Sequence, residues 1–160
     1  MLRKGKNCIQ MEEEYIIELA TRFRRGIEKA KVQNEFVKDQ NFRNFPLGCC
    51  GVTTNLLAKF LMDNGVVTKL VYVNGTYLDF SHAWLQTNNM IVDITGDQFK
   101  YVQELFNYNE SIYVGDYNDF YSLFEVNCED EYPKEFVLED RRYCFQLSHK
   151  KIYDIILKYI

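Results

Sequence analysis

A chain of 160 residues, 47% apolar and 16% aromatic, is long enough to bury the core of one domain (1–160) and too apolar to stay disordered. No apolar run approaches the length of a membrane span, and Arg3, Lys4 and Lys6 lead into Glu12–Glu14 rather than into the apolar stretch of a secretory signal. The formal net charge of −4 hides an acidic segment from Glu104 to Asp140 in which Lys134 is the one cation; such a surface repels phosphate backbones, which argues against nucleic acid as a partner.

Residues 1–44 read as a helix and a loop. From 11 to 32, Ile16, Leu19, Ala20, Phe23, Ile27 and Ala30 recur at helical spacing with charges on the opposite side, which predicts a core-covering amphipathic helix. The pattern fades from Gln33 to Leu47, and Pro46 fixes the backbone ahead of a cysteine pair. A second helix follows to about Asn64, with Val52, Leu56, Leu57, Phe60 and Leu61 on one stripe and Gly65 as its stop. The five cysteines are odd in number, lack metal-ligand spacing and include the adjacent Cys49 and Cys50; a reduced, cytoplasmic setting with no metal and no cofactor is expected.

Strands come next. Val66 to Val73 is β-branched and apolar, with Asn74-Gly75 as an expected turn. Tyr77 to Gln86 places Leu78, Phe80, His82 and Trp84 on one face, and Met90 to Thr95 is its expected partner. An even-numbered loop between these strands sets His82 and Asp93 on a common face, and a four-residue loop sets them directly opposite; a three-residue loop separates them. Residues 100–160 form an aromatic and acidic extension: Tyr101 to Tyr121 suits core packing, Glu135 to Phe145 a strand or two, and Lys150 to Ile160 a final helix with His149 at its start.

Three short motifs carry chemistry: Gly48-Cys49-Cys50-Gly51, Ser81-His82-Ala83-Trp84 and Val92-Asp93-Ile94-Thr95. A thiol at a helix amino terminus ionises more readily than a free one, because unpaired N–H groups and the helix dipole favour negative charge. A histidine can take its proton, and a carboxylate can orient that histidine. Read singly, Cys50 is a small buried residue beginning a core helix and His82 a satisfied core histidine. Read together they are the minimal kit for covalent thiol catalysis.

These motifs resemble the transglutaminase-like core of the papain-like cysteine hydrolases over residues 45–99. Gly48-Cys49-Cys50 is similar to the Gly-x-Cys that opens that core, His82-Ala83-Trp84 to its His-Ala-Trp, and Asp93-Ile94-Thr95 to its Asp-x-Thr. The resemblance implies an α+β papain-like fold, a nucleophile helix packed on an antiparallel sheet, and a triad in which Cys50 attacks a carbonyl, His82 shuttles the proton and Asp93 orients the ring. It selects Cys50 over Cys49. It also makes Asn44, Gly51, Trp84 and Gln98 candidates for the oxyanion or substrate site. Glycine follows Cys50 where the family carries an aromatic residue, and the His82 to Asp93 spacing is short; both favour hydrolysis of a small amide or thioester over protein crosslinking.

The expected activity is therefore a cysteine-dependent amide or thioester hydrolase or acyl transferase acting on a protein, peptide or small acyl substrate, of the kind bacteria deploy as effectors or toxins. A binding module that keeps the fold without the chemistry is the main alternative, and a redox protein using Cys49 and Cys50 is a third. A basic protein is the partner that the 104–140 surface would suit, although such charge often serves solvation alone.

Overall fold

The apolar stripe of the first helix is fully buried from Ile16 to Ala30, and that burial holds α1 (Arg3–Val32) against the rest of the chain. The structure, a computed structural model, describes residues 3–160, with side chains from Cys8 onward. Met1 and Leu2 of the expected 1–160 domain, and the side chains of Arg3, Lys4 and Lys6, lie outside the described residues. Two further helices, α2 (Cys50–Asp63) and α3 (His149–Leu157), pack beside α1. Ser148 caps α3 by accepting a hydrogen bond from the Lys151 amide at 3.1 Å.

The helices cover one face of a five-stranded antiparallel sheet, so the fold is α+β. Its strands are β1 (Leu70–Tyr77), β2 (Phe80–Thr87), β3 (Met90–Asp93), β4 (Tyr113–Gly115) and β5 (Glu125–Glu131), in spatial order β4-β3-β2-β1-β5. Side chains alternate between two cores. Leu70, Leu85 and Val92 face the helices, whereas Val73, Trp84 and Ile91 face an aromatic layer of Phe99, Phe120, Tyr121 and Phe124 folded back from beyond β3. The segment that reads only as an aromatic extension is thus the second cover of the sheet. Among the described residues no helix is long and apolar enough to cross a membrane.

Three expectations about the strands are corrected. Asn74-Gly75 is not a turn: both residues lie within β1, and the turn falls at Leu78-Asp79, with Leu78 at φ +51. Gly75 is needed there because a Cβ would come within 2.9 Å of the Phe124 Cβ, at a bulge between β1 and β5. β5 is a strand that alternation does not reveal, since nearly all of it is exposed, and residues 135–145 hold no strand. The β2–β3 loop has two residues, Asn88 and Asn89, both at positive φ, the backbone that a tight hairpin turn requires and that asparagine tolerates.

Arg24 ties these parts together. From the buried side of α1 its guanidinium donates to the two carboxylate oxygens of Asp97 at 2.8 and 2.7 Å, to the Ile94 carbonyl at 2.6 Å and to Glu28 at 2.7 Å. It also lies over the Phe45 ring, 4.8 Å from the centroid. Arg24→Met should destabilise the fold by about 3 kcal/mol, because it strands a mostly buried Asp97 carboxylate. Arg24→Lys, which keeps the charge but not the fork, should recover only part of this in urea denaturation. A midpoint unchanged by Arg24→Met would remove the clamp from the account.

Candidate active site

Cys50 is the first residue of α2, and the preceding Cys49 supplies no side-chain cap, so first-turn amides are left without intrahelical acceptors. The two cysteines have opposite environments. Cys49 is buried in the helix-side core with its Sγ 3.5 Å from the Pro46 carbonyl, and burial pushes its thiol up to about 12. Cys50 is half-exposed; burial raises its pKa too, but the His82 ring and the Ala83 amide favour the thiolate more strongly, and the net shift is downward.

His82 and Asp93 sit on the aromatic face of the sheet. Leu85 pairs with Val92 across β2 and β3; continuing that register sets Asp93 against Trp84, with His82 one diagonal step away on the same face. The two-residue loop therefore gives the even spacing that the common face requires, with a diagonal pair in place of a directly opposite one. His82 Nε2 lies 2.7 Å from Asp93 Oδ2. Asp93 is fully engaged: Oδ2 also accepts from the Tyr121 hydroxyl at 2.9 Å, and Oδ1 accepts from the Thr95 amide at 2.8 Å and its hydroxyl at 3.0 Å. Burial opposes ionisation of this carboxylate, yet His82 and these donors hold its pKa below the ordinary range.

The imidazole is 0% exposed and enclosed by Phe99, Trp84, Phe124, Phe120 and Tyr121, with ring centroids 5.1 to 6.3 Å away. Burial alone would lower its pKa; the adjoining Asp93 carboxylate and the thiol overcome that and raise it to about 9. A lowered thiol beside a raised imidazole favours the thiolate–imidazolium pair.

The helix that carries Cys50 packs on one face of the sheet and His82 belongs to the other, yet the thiol and the ring each favour the other's charged form. β3 stops at Asp93, whereas β2 runs on to Phe80 paired with β1 on its other side. α2 packs on β2, and the Ala83 amide and the His82 ring both act on the Cys50 thiol. Beyond Thr95 the chain coils into a short 3₁₀ turn, Gly96–Phe99, which returns Gln98 to the ring. Gln98 Nε2 lies 3.2 Å from His82 Nδ1 and donates to the Thr95 carbonyl at 3.0 Å. Donation to Nδ1 suits the neutral ring and opposes the imidazolium, but a neutral amide at 3.2 Å is a weaker partner than a buried carboxylate at 2.7 Å. Asp93 therefore decides the ring's charge, and Nδ1 is the nitrogen left for Cys50.

The other candidates divide. Gln98 and Asn44 line one cleft of about 330 Å³ with Pro46 and Leu47, beside the loop that leads to Cys50. Asn44 is exposed at its rim. Gly51 follows Cys50 in α2, where an added Cβ would meet the Tyr72 hydroxyl at 3.2 Å. Trp84, expected at the substrate surface, is instead fully buried 5.8 Å from the His82 ring, because its face of β2 is covered by the aromatic layer. Tyr121 and the Phe99, Phe120 and Phe124 cage are site residues that sequence reasoning missed; an aromatic-rich segment signals packing and nothing more specific. Among the described residues no group of three or more His, Cys, Asp or Glu is arranged to hold a metal ion.

Iodoacetamide near neutral pH should alkylate Cys50 at least tenfold faster than the exposed Cys8 and Cys144, and should spare the buried Cys49. The rate should rise as pH passes through the lowered Cys50 pKa, at a pH below that of a free thiol. His82→Gln should move that rise to higher pH, because it removes the cation beside the sulfur. Equal labelling of Cys50 and Cys8, or a profile unmoved by His82→Gln, would sink the ion-pair description.

No protein-family model, curated protein or solved structure matches this chain, and the functional assignment rests on the residues themselves.

Proposed function

We propose that the protein is a papain-like, transglutaminase-like cysteine enzyme that hydrolyses or transfers an acyl group from an amide or thioester, with Cys50 as nucleophile, His82 as acid and base and Asp93 as orienter. The observation that carries this reading is the chain of groups from a half-buried thiol through His82 to an Asp93 carboxylate 2.7 Å from Nε2. Nothing in core packing calls for a buried imidazole with a carboxylate on one nitrogen and a low-pKa thiol coupled to it.

The chemistry follows from these positions. The Cys50 thiolate adds to the acyl carbon, and amides at the start of α2 are placed to receive the developing oxyanion. His82, charged and held by Asp93, gives its Nδ1 proton to the departing amine or thiol. The neutral ring then takes a proton from water or an amine, which attacks the thioester and frees the enzyme. Protein, peptide and small acyl substrates all fit this sequence, and an effector-like or toxin-like action on another protein is one form of it. The setting proposed is the reducing cytoplasm, which keeps all five thiols free.

The geometry weighs against the redox alternative. Cys49 turns into the core with a thiol pKa of about 12 while Cys50 faces His82, so the pair is not poised for exchange. A non-catalytic binding module would have no use for the coupled thiol.

p-Nitrophenyl acetate should acylate Cys50 in a stoichiometric burst, with the modified residue identified by mass spectrometry. kcat/KM for turnover should fall on the alkaline side near pH 9, as His82 loses the proton it must donate. Asp93→Asn should keep the fold by circular dichroism yet lower acylation about 10²- to 10⁴-fold, since an amide cannot hold the same tautomer. Acylation within a few-fold of wild type would reassign Asp93 to a turn-stabilising role.

A further inference from the structure

Against the start of α2, next to the residue that follows Cys50, stands a phenol that the triad does not use. Tyr72 lies on β1 facing the helices, next to Asn74 and in register with Leu85 of β2. Its hydroxyl is placed over the start of α2, where a Cβ on Gly51 would lie 3.2 Å away. Cys50 and Gly51 are the first two residues of α2, so the thiol and the phenol share that end of the helix. The glycine that follows the nucleophile thus has a steric reason: a side chain at position 51 would contest the space that the Tyr72 hydroxyl occupies.

From this placement we infer that Tyr72 is a catalytic residue, an oxyanion donor whose hydroxyl, together with amides at the start of α2, binds the carbonyl oxygen of the substrate during attack by Cys50. The inference rests on the acyl-transfer reading above and adds a group to it. As the sulfur–carbon bond forms, the carbonyl π pair moves onto oxygen, and the Tyr72 O–H donates to the resulting alkoxide without transferring its proton. When the alkoxide re-forms the carbonyl, the carbon–nitrogen or carbon–sulfur bond to the leaving group breaks, and that group departs with the proton from His82 Nδ1. Burial and the nearby Cys50 charge raise the Tyr72 pKa above its ordinary value, so the phenol keeps the proton it must share. Asn74, on the same face of β1, donates its side-chain amide to the His82 carbonyl at 3.3 Å and to the Ser81 hydroxyl at 3.4 Å. Among the described residues Tyr72 donates to no protein acceptor, which leaves the hydroxyl hydrogen available to a substrate.

Two reagents separate this role from a packing role. Iodoacetamide alkylates the thiolate by displacement and builds no oxyanion, whereas p-nitrophenyl acetate must pass through one. In Tyr72→Phe, acylation of Cys50 by the ester should fall at least tenfold while alkylation stays within twofold of wild type. Alkylation measured on the same sample reports whether the site is intact. Gly51→Ala, which crowds the phenol without removing it, should lower ester acylation in the same selective way. If Tyr72→Phe is acylated as fast as wild type, or if both reactions fall together, the assignment of Tyr72 is overturned and the triad stands. If wild-type Cys50 is alkylated but never acylated, the acyl-transfer reading fails and this inference fails with it.

Discussion

The Arg24 guanidinium is the constraint on which the site depends. One planar group on α1 holds the Ile94 carbonyl and the Asp97 carboxylate, which bracket the turn leaving β3, and stacks on Phe45 in the loop leading to the cysteines. The loop that delivers Cys50 and the turn that carries Thr95 and Gln98 are thus referenced to the same point on a long helix. Neither segment belongs to an α-helix or a strand that would hold it. A lysine there could satisfy the charge of Asp97 but could not span the carboxylate and the carbonyl at once.

Around that frame the energetic conflict is between burial and charge. His82 and Asp93 lie in a nearly water-free aromatic layer, where isolated charges are strongly disfavoured. Asp93 is tolerated because four donors saturate its two oxygens, and His82 is charged because that saturated carboxylate sits against it. The Asp-x-Thr motif acquires a physical meaning here: Thr95 supplies two of the four donors within a local turn, and Tyr121 brings a third from a distant segment. The aromatic cover excludes water and so strengthens the pair it surrounds.

Much of this was legible in the sequence where periodicity and local motif coincide. Ile16 to Ala30 mark α1, Leu56 to Leu61 mark α2, and parity along β2 and β3 sets His82 and Asp93 on one face if the hairpin loop is even. The loop length was not legible, because Asn88-Asn89 can serve either as the whole turn or as the end of a longer one. Asn74-Gly75 misled for a related reason: a local turn signal yielded to a tertiary contact, the approach of Phe124 to Gly75. β5 escaped notice because an edge strand exposed on both faces carries no alternation. Arg24, Tyr121 and Tyr72 are silent because their partners, Asp97, Asp93 and Gly51, are distant in sequence, 73 residues away for Arg24 and 28 for Tyr121.

The early end of β3 has one more consequence. It leaves His82 and Ala83 of β2 without a β3 partner, and the imidazole there is sealed from solvent. A proton that crosses from thiol to ring enters a compartment with no contact with bulk water. Asp93 holds Nε2, so the proton's exit is back to the sulfur side through Nδ1. In the proposed reaction the ring is a private store for one proton, held through the life of the tetrahedral species, so that the proton's destination is set by the substrate and not by the buffer.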